Sequence, residues 1–164
     1  MSKFKLLAAA LTAVVISGPV LAQDENAVDP QYTWDLGDIF PSVEAWDAAR
    51  QEVLDSLEEI EQRRGTLGKS AADLYETLEL VSNTQRKAGN VFVYAALNND
   101  EDQRVTETQE RRQLGSIMYS RFGESVAWMQ PEIIEVGREV IESYINEDER
   151  LKVCLLYTSD AADD

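Results

Sequence analysis

The stretch Ser42-Val-Glu-Ala-Trp46-Asp-Ala-Ala-Arg-Gln-Glu-Val53-Leu-Asp-Ser-Leu57-Glu-Glu-Ile60 decides the fold class. Trp46, Ala49, Val53, Leu57 and Ile60 recur every three or four residues, with Leu54 widening the stripe, while Glu52, Asp55, Glu58 and Glu59 fall on the other side. That period belongs to an amphipathic helix and not to a strand. Ser42, preceded by Pro41, is a good N-cap, and Glu44 suits the positive end of the helix dipole. Gly65 and Gly68 then end the run, as glycines past a helix C-terminus do.

The same period continues downstream. Ser70-Ala71-Ala72-Asp73 has the spacing of a capping box with Asp in place of Glu, and predicts the start of a second helix. Its stripe is Leu74, Leu78, Val81, Ala88, Phe92 and Ala95. Gly89-Asn90 lowers the propensity and invites a bend. Val91-Phe92-Val93-Tyr94 has strand composition, but nothing else in the chain offers a partner strand, so helix is the reading.

A polar turn is expected over Asn98 to Arg104. A third stripe follows through Leu114, Ile117, Met118, Phe122, Val126 and Met129, weakened by Gly115 and Gly123. Pro131 breaks or restarts the helix, and Ile133, Val136, Val140, Ile141, Tyr144 and Ile145 form a fourth apolar face ending near 147–152. Helices joined by short connections pack antiparallel, so the expected fold is all-α, a small antiparallel bundle of hairpins spanning 42–152.

Outside that span the chain reads differently. Lys3 and Lys5, the apolar run Leu6 to Ser17, and Val20-Leu21-Ala22 before Gln23 have the pattern of a Sec-type signal peptide over 1–22, too short and too broken by Gly18-Pro19 for a spanning anchor. A periplasmic or secreted location is the expectation. Residues 23–41 read as an extended arm, polar at first and then rich in aromatics, with Tyr32, Trp34, Leu36, Ile39 and Phe40 set to dock on the domain. Residues 153–164, ending Leu-Tyr-Thr-Ser-Asp-Ala-Ala-Asp-Asp, break the helical logic and resemble translated library adapter, a non-native tail.

Composition narrows the chemistry. The chain has 164 residues, 44% hydrophobic and 28% charged, enough for one packed domain. With 15 Lys and Arg against 31 Asp and Glu, the net charge of −16 repels phosphate backbones and anionic membranes. Neither nucleic acid nor, once the leader is cleaved, a membrane is an expected partner. There is no histidine, so no His-based triad and no His-Glu-x-x-His zinc site exists here. The one cysteine, Cys154, forms no intramolecular disulfide and sits in the suspect tail.

Three constellations could carry chemistry, and each has a plainer reading. Asn98, Asp100 and Asp102 alternate like the first ligands of a calcium loop, but Gln103 stands where the sharp turn needs Gly, and Gln109 where the bidentate Glu belongs. An ordinary interhelical turn is the better account. The pairs Glu58/Glu61 and Glu139/Glu142 have the i,i+3 spacing of an exposed helix face, without the burial that acid–base work requires. Trp34, Trp46 and Trp128 read as core or docking surface and not as a ligand cage. No catalytic, cofactor-binding or metal-binding residue is assigned.

Tyr32-Thr-Trp-Asp-Leu-Gly-Asp-Ile-Phe-Pro-Ser42 is similar to the opening of oligoendopeptidase F, a thimet-oligopeptidase-like zinc metallopeptidase family. Val93-Tyr94-Ala95-Ala96-Leu97 with Asp100-Glu101-Asp102 behind it, and Trp128 followed by Pro131-Glu132-Ile133, resemble two later segments of that family. The resemblance runs in order from about Tyr32 to Lys152. It implies the helical N-terminal lobe of a larger peptidase, cut off before its catalytic domain, which would wall one side of a cleft and admit short peptides. The family's zinc, its ligands and its general base would lie in the missing part, so this chain is expected to be inactive alone and to hold no cofactor. The leader departs from the many cytoplasmic members of the family. A free-standing exported helical binding or chaperone-like module is the alternative.

Overall fold

The computed structural model describes residues 34–153. The proposed leader, most of the arm, Cys154 and the rest of the proposed tail lie outside the described residues. Along the described residues run the helices α1 (Val43–Gln62), α2 (Ala71–Glu101), α3 (Thr106–Val126), α4 (Met129–Val136) and α5 (Arg138–Glu147). Among the described residues there is no strand, and the fold is all-α as expected.

Both expected caps form. Ser42 Oγ accepts from the Ala45 N–H at 3.2 Å. Ser70 Oγ accepts from the Asp73 N–H at 3.1 Å, and the Ser70 hydroxyl donates to the Asp73 carboxylate. The Asp side chain thus meets the Ser70 hydroxyl, where the Glu of a full capping box meets the N-cap backbone N–H.

Cross-helix pairs fix the directions. Trp46 with Val91, Glu52 with Lys87, and Arg63 with Glu76 step backward along α2 as α1 advances, so the two run antiparallel. Asn98 with Arg111 and Phe92 with Tyr119 show the same for α2 and α3. The buried side chains divide between two clusters, one at each end of this three-helix unit. Trp46, Val53, Ala88, Val91, Tyr94, Ala95 and Met118 form the first. Ile60, Leu67, Ala71, Leu74, Phe122, Trp128, Met129 and Leu151 form the second, where α4 and α5 cover the bundle.

Several expectations need correction. The turn expected over Asn98 to Arg104 shrinks, because α2 continues to Glu101, running unbroken through Gly89-Asn90. Arg111 and Arg112 of α3 reach across to Asn98 and Asp100 and hold that last turn helical. The α3 stripe is also shifted: Gly115, Met118, Phe122 and Ser125 are buried, whereas Leu114 and Ile117 are exposed. A Cβ at Gly115 would stand 3.3 Å from Ala95 Cβ, so the glycine marks where α2 and α3 approach closely and is not a defect. On α2 it is Val91 and not Phe92 that is fully buried.

The fourth apolar face is two helices. Gly137, at φ +87°, is a conformation that L side chains rarely adopt, and it separates α4 from α5. Pro131 is the third residue of α4, in the first turn, where no intrahelical N–H is required of it. The described end of the arm, finally, is not wholly extended: Leu36–Asp38 make one 3-10 turn, capped by the Asp35 carboxylate on the Gly37 N–H. As expected, it docks: Leu36, Ile39 and Phe40 pack on the first cluster, with the Phe40 ring edge-on to Tyr94 at 5.5 Å.

Candidate functional site

The residue pattern on α2 and α3 that resembled a calcium loop is not a loop. Asn98 and Asp100 sit on the last turn of a helix, and Asp102 caps it. Asp100 pairs with Arg112 at 3.0 Å and Asp102 with Arg104 at 2.8 Å. Hydrogen bonds from the Arg104 guanidinium and backbone hold the Asp102 carboxyl down to about 2, so it is a satisfied ion-pair partner. The other carboxylate pairs are equally ordinary. Glu58, Glu61, Glu139 and Glu142 are all exposed, Glu61 pairing with Arg64 and Glu142 with Arg138.

No three His, Cys, Asp or Glu side chains converge to hold a metal among the described residues. With no histidine anywhere in the sequence, the donor set does not fit a catalytic zinc. No described helix is long and apolar enough to cross a membrane.

The tryptophans have distinct surroundings. Trp46 is 2% exposed, donates its indole N–H to the Val91 carbonyl at 2.8 Å, and stacks on Tyr94. The guanidinium groups of Arg50 and Arg111 each lie 5.9 Å from its ring centre. Trp128 is 9% exposed, and its indole nitrogen has no hydrogen-bond partner among the described residues. Trp34 is 59% exposed, although its backbone N–H is anchored on the Glu101 carboxylate at 2.6 Å. Two are core and one is surface.

The segment Trp128 to Ile133 gains a physical role from its surroundings. Both carboxylate oxygens of Glu132 accept backbone N–H groups of the α1–α2 connection, from Gly65 at 2.7 Å and from Leu67 at 2.9 Å. Leu67, which the sequence periodicity did not single out, is fully buried beneath this clasp. Gly65 sits at φ +79°, and a Cβ on Gly68 would lie 2.9 Å from Val136 of α4. The Tyr144 hydroxyl donates to the Gly68 carbonyl at 2.8 Å. Glu132 and Tyr144 therefore pin one loop to α4 and α5. The only available signal was the position of Glu132 inside a segment similar to a known one; periodicity treats it as a surface residue.

Ile134 is 71% exposed on α4, and Val140 and Val153 are exposed nearby in sequence. Two grooves of similar size open on the bundle. One, about 530 Å³, lies between the Gly65–Gly68 connection and α4. The other, about 550 Å³, lies where α1 and α3 begin.

Comparison with known proteins agrees with the resemblance. No family profile matches the chain. Oligopeptidase PepF of Bacillus subtilis is 30% identical over 130 residues, 79% of this chain and 19% of that protein. The plasmid-borne oligoendopeptidase F of Lactococcus lactis subsp. cremoris is 29% identical over 133 residues, 80% of this chain and 22% of that one. The crystal structure of oligoendopeptidase F from Enterococcus faecium superposes with a TM-score of 0.68 at 30% identity, over 74% of this chain and 24% of that one. The chain spans about a fifth of the length of the curated relatives it matches.

Proposed function

We propose, on the premise that the chain is a homologue of oligoendopeptidase F and similar to its helical N-terminal part, that it is the substrate-access-limiting lobe of an exported, zinc-dependent oligoendopeptidase. The observation that carries this reading is the superposition on the Enterococcus faecium enzyme, at 30% identity over three-quarters of the chain. The lobe's contribution would be steric. Helices walling a cleft exclude folded proteins while flexible short peptides pass, and water is displaced as the peptide enters. Zinc, its ligands and the general base would come from the remainder of the parent, since the described residues fit no metal.

Ile134, Val140 and Val153 are exposed apolar side chains of the kind that a further lobe of the parent would cover. Export rests on the leader-like sequence 1–22, and cleavage after Ala22 would leave Gln23 as the first residue.

The test is to recover the parental DNA and read the frame past Val153. A continuation of several hundred residues with a His-Glu-x-x-His segment is expected, and the product should cleave short peptides while sparing folded proteins. Mass spectrometry of the exported product should find Gln23 at its N-terminus. A frame that closes without a metal motif sinks the peptidase reading. The present chain, purified, is expected to bind a hydrophobic dye or to self-associate; a compact monomer that does neither counts against the missing lobe.

A further inference from the structure

The groove where α1 and α3 begin side by side combines an apolar lining with carboxylates. Val43 and Leu114, 41% and 42% exposed, give it an apolar lining together with the edge of Trp46. Glu44, Glu107 and Glu110 line it as well. On α3 the spacing 107, 110, 114 places both glutamates and the leucine on one flank of the helix.

The cations nearby are already engaged. Arg111 donates to Asn98 and lies over the Trp46 ring, and Arg50 pairs with Asp47 at 2.7 Å. Glu107 and Glu110 make no ion pair among the described residues, unlike Glu52, Glu76, Asp100 and Asp102, each matched to a Lys or Arg. Hydrogen bonds from its own backbone N–H and from Ser42 hold the Glu44 carboxyl below its usual range, so it too is charged.

We propose that this groove docks a separate basic polypeptide segment, one in which Lys or Arg stands beside an apolar side chain. The apolar group would cover Val43 and Leu114, and the cation would meet Glu107 and Glu110. A net charge of −16 steers such a segment toward the chain, but only a groove with an apolar lining holds it in register. The site stands on its own geometry and does not depend on the peptidase reading.

The test uses the whole chain and a dye-labelled peptide of alternating Lys and Leu, with a Glu-Leu peptide of equal length as control, read by fluorescence anisotropy. Glu107→Gln with Glu110→Gln should weaken Lys-Leu binding about tenfold, the sum expected of two surface ion pairs. Leu114→Ser should weaken it about fivefold through lost apolar contact. Asp55→Asn with Glu58→Gln removes the same charge from the exposed face of α1 and should change binding less than about twofold. Amide shifts in the unsubstituted chain should be confined to residues 43–47 and 107–114, which keeps the proposal testable should a variant misfold. Equal loss in both double variants would mean diffuse charge attraction and overturn the site. Absence of Lys-Leu binding, or equal binding of Glu-Leu, also overturns it. So does a dimer of the chain itself that dissolves on Glu107→Gln with Glu110→Gln, because the occupant is then a second copy.

Discussion

The two ends of the bundle hold a tryptophan each, and they hold it by different means. At one end Trp46 sits among three long helices, with its indole N–H on the Val91 carbonyl and its ring against Tyr94. At the other, Trp128 sits among short helices and a loop, its nitrogen without a partner among the described residues. That end is tied instead by carboxylate and hydroxyl bonds to backbone, from Glu132 and Tyr144. Long helices bury side chains ridge into groove and need few special contacts. Short elements bury less and must satisfy more loop backbone, so individual polar groups matter more there.

The widest separation is expected from removing each indole nitrogen. Trp46→Phe should cost about 3 kcal/mol, from a lost buried hydrogen bond plus a cavity. Trp128→Phe should cost about half of that, roughly 1.5 kcal/mol, because volume and part of the Arg64 contact over the ring at 5.8 Å are lost but no hydrogen bond is. Urea unfolding midpoints decide, and equal costs would erase the distinction between the two ends.

Next in size is the clasp. Glu132→Ala leaves the part-buried Leu67 amide without its partner and the exposed Gly65 amide to water, and should cost about 2 kcal/mol, with faster hydrogen exchange at those two amides. Unchanged exchange there would show that the loop does not depend on Glu132. Gly68→Ala forces a methyl against Val136 and should cost about 1 kcal/mol, part of which a second change, Val136→Ala, should restore. No rescue in the double variant would mean that the contact is not the cause.

The smallest effects come from a pair of matching turns. Asp102-Gln-Arg104 closes α2 and Asp148-Glu-Arg150 closes α5, each Asp held below its usual range by the Arg two residues on. Arg150 also lies 3.8 Å from the Tyr75 ring centre, bridging to α2, whereas Arg104 touches only its own turn among the described residues. Arg150→Gln should therefore lower the unfolding midpoint detectably, and Arg104→Gln should leave it within error. In the latter, carboxyl NMR should see Asp102 return from about 2 toward its ordinary 3.8. Because a depressed carboxyl stabilises the fold above its unfolded value, whatever Asp102 contributes is present above pH 3.8 and fades as pH falls through about 2. A larger midpoint shift for Arg104→Gln than for Arg150→Gln would reverse the ranking.

Much of α1, which runs past both clusters, was legible in the sequence. Trp46, Val53 and Ile60 stand seven residues apart, and all three are buried. Ser42 and Ser70 announced both helix starts. The stripes of α2 and α3 were less accurate for a physical reason. α2 is flanked by both α1 and α3, so Thr77, Thr84, Val91 and Tyr94 are covered as well as Leu74, Ala88 and Ala95. Thr77 and Thr84 satisfy their hydroxyls on the Asp73 and Leu80 carbonyls, which makes them compatible with the core while they look polar in sequence. The groove residues Glu107, Glu110 and Leu114 carried no signal as a site, because nothing local says that α1 begins beside them.

The sequence by itself determined the helical period, the two capping serines, the exclusion of histidine chemistry and the likeness to oligoendopeptidase F. Those are properties of residue identity and of spacing within one element. Only the tertiary structure decided that Gly115 is a close-packing position, that Glu132 binds a loop sixty-five residues away, and that Leu114 is surface. Each of these depends on which backbone lies opposite, and that is set by how helices cross and not by their own periodicity.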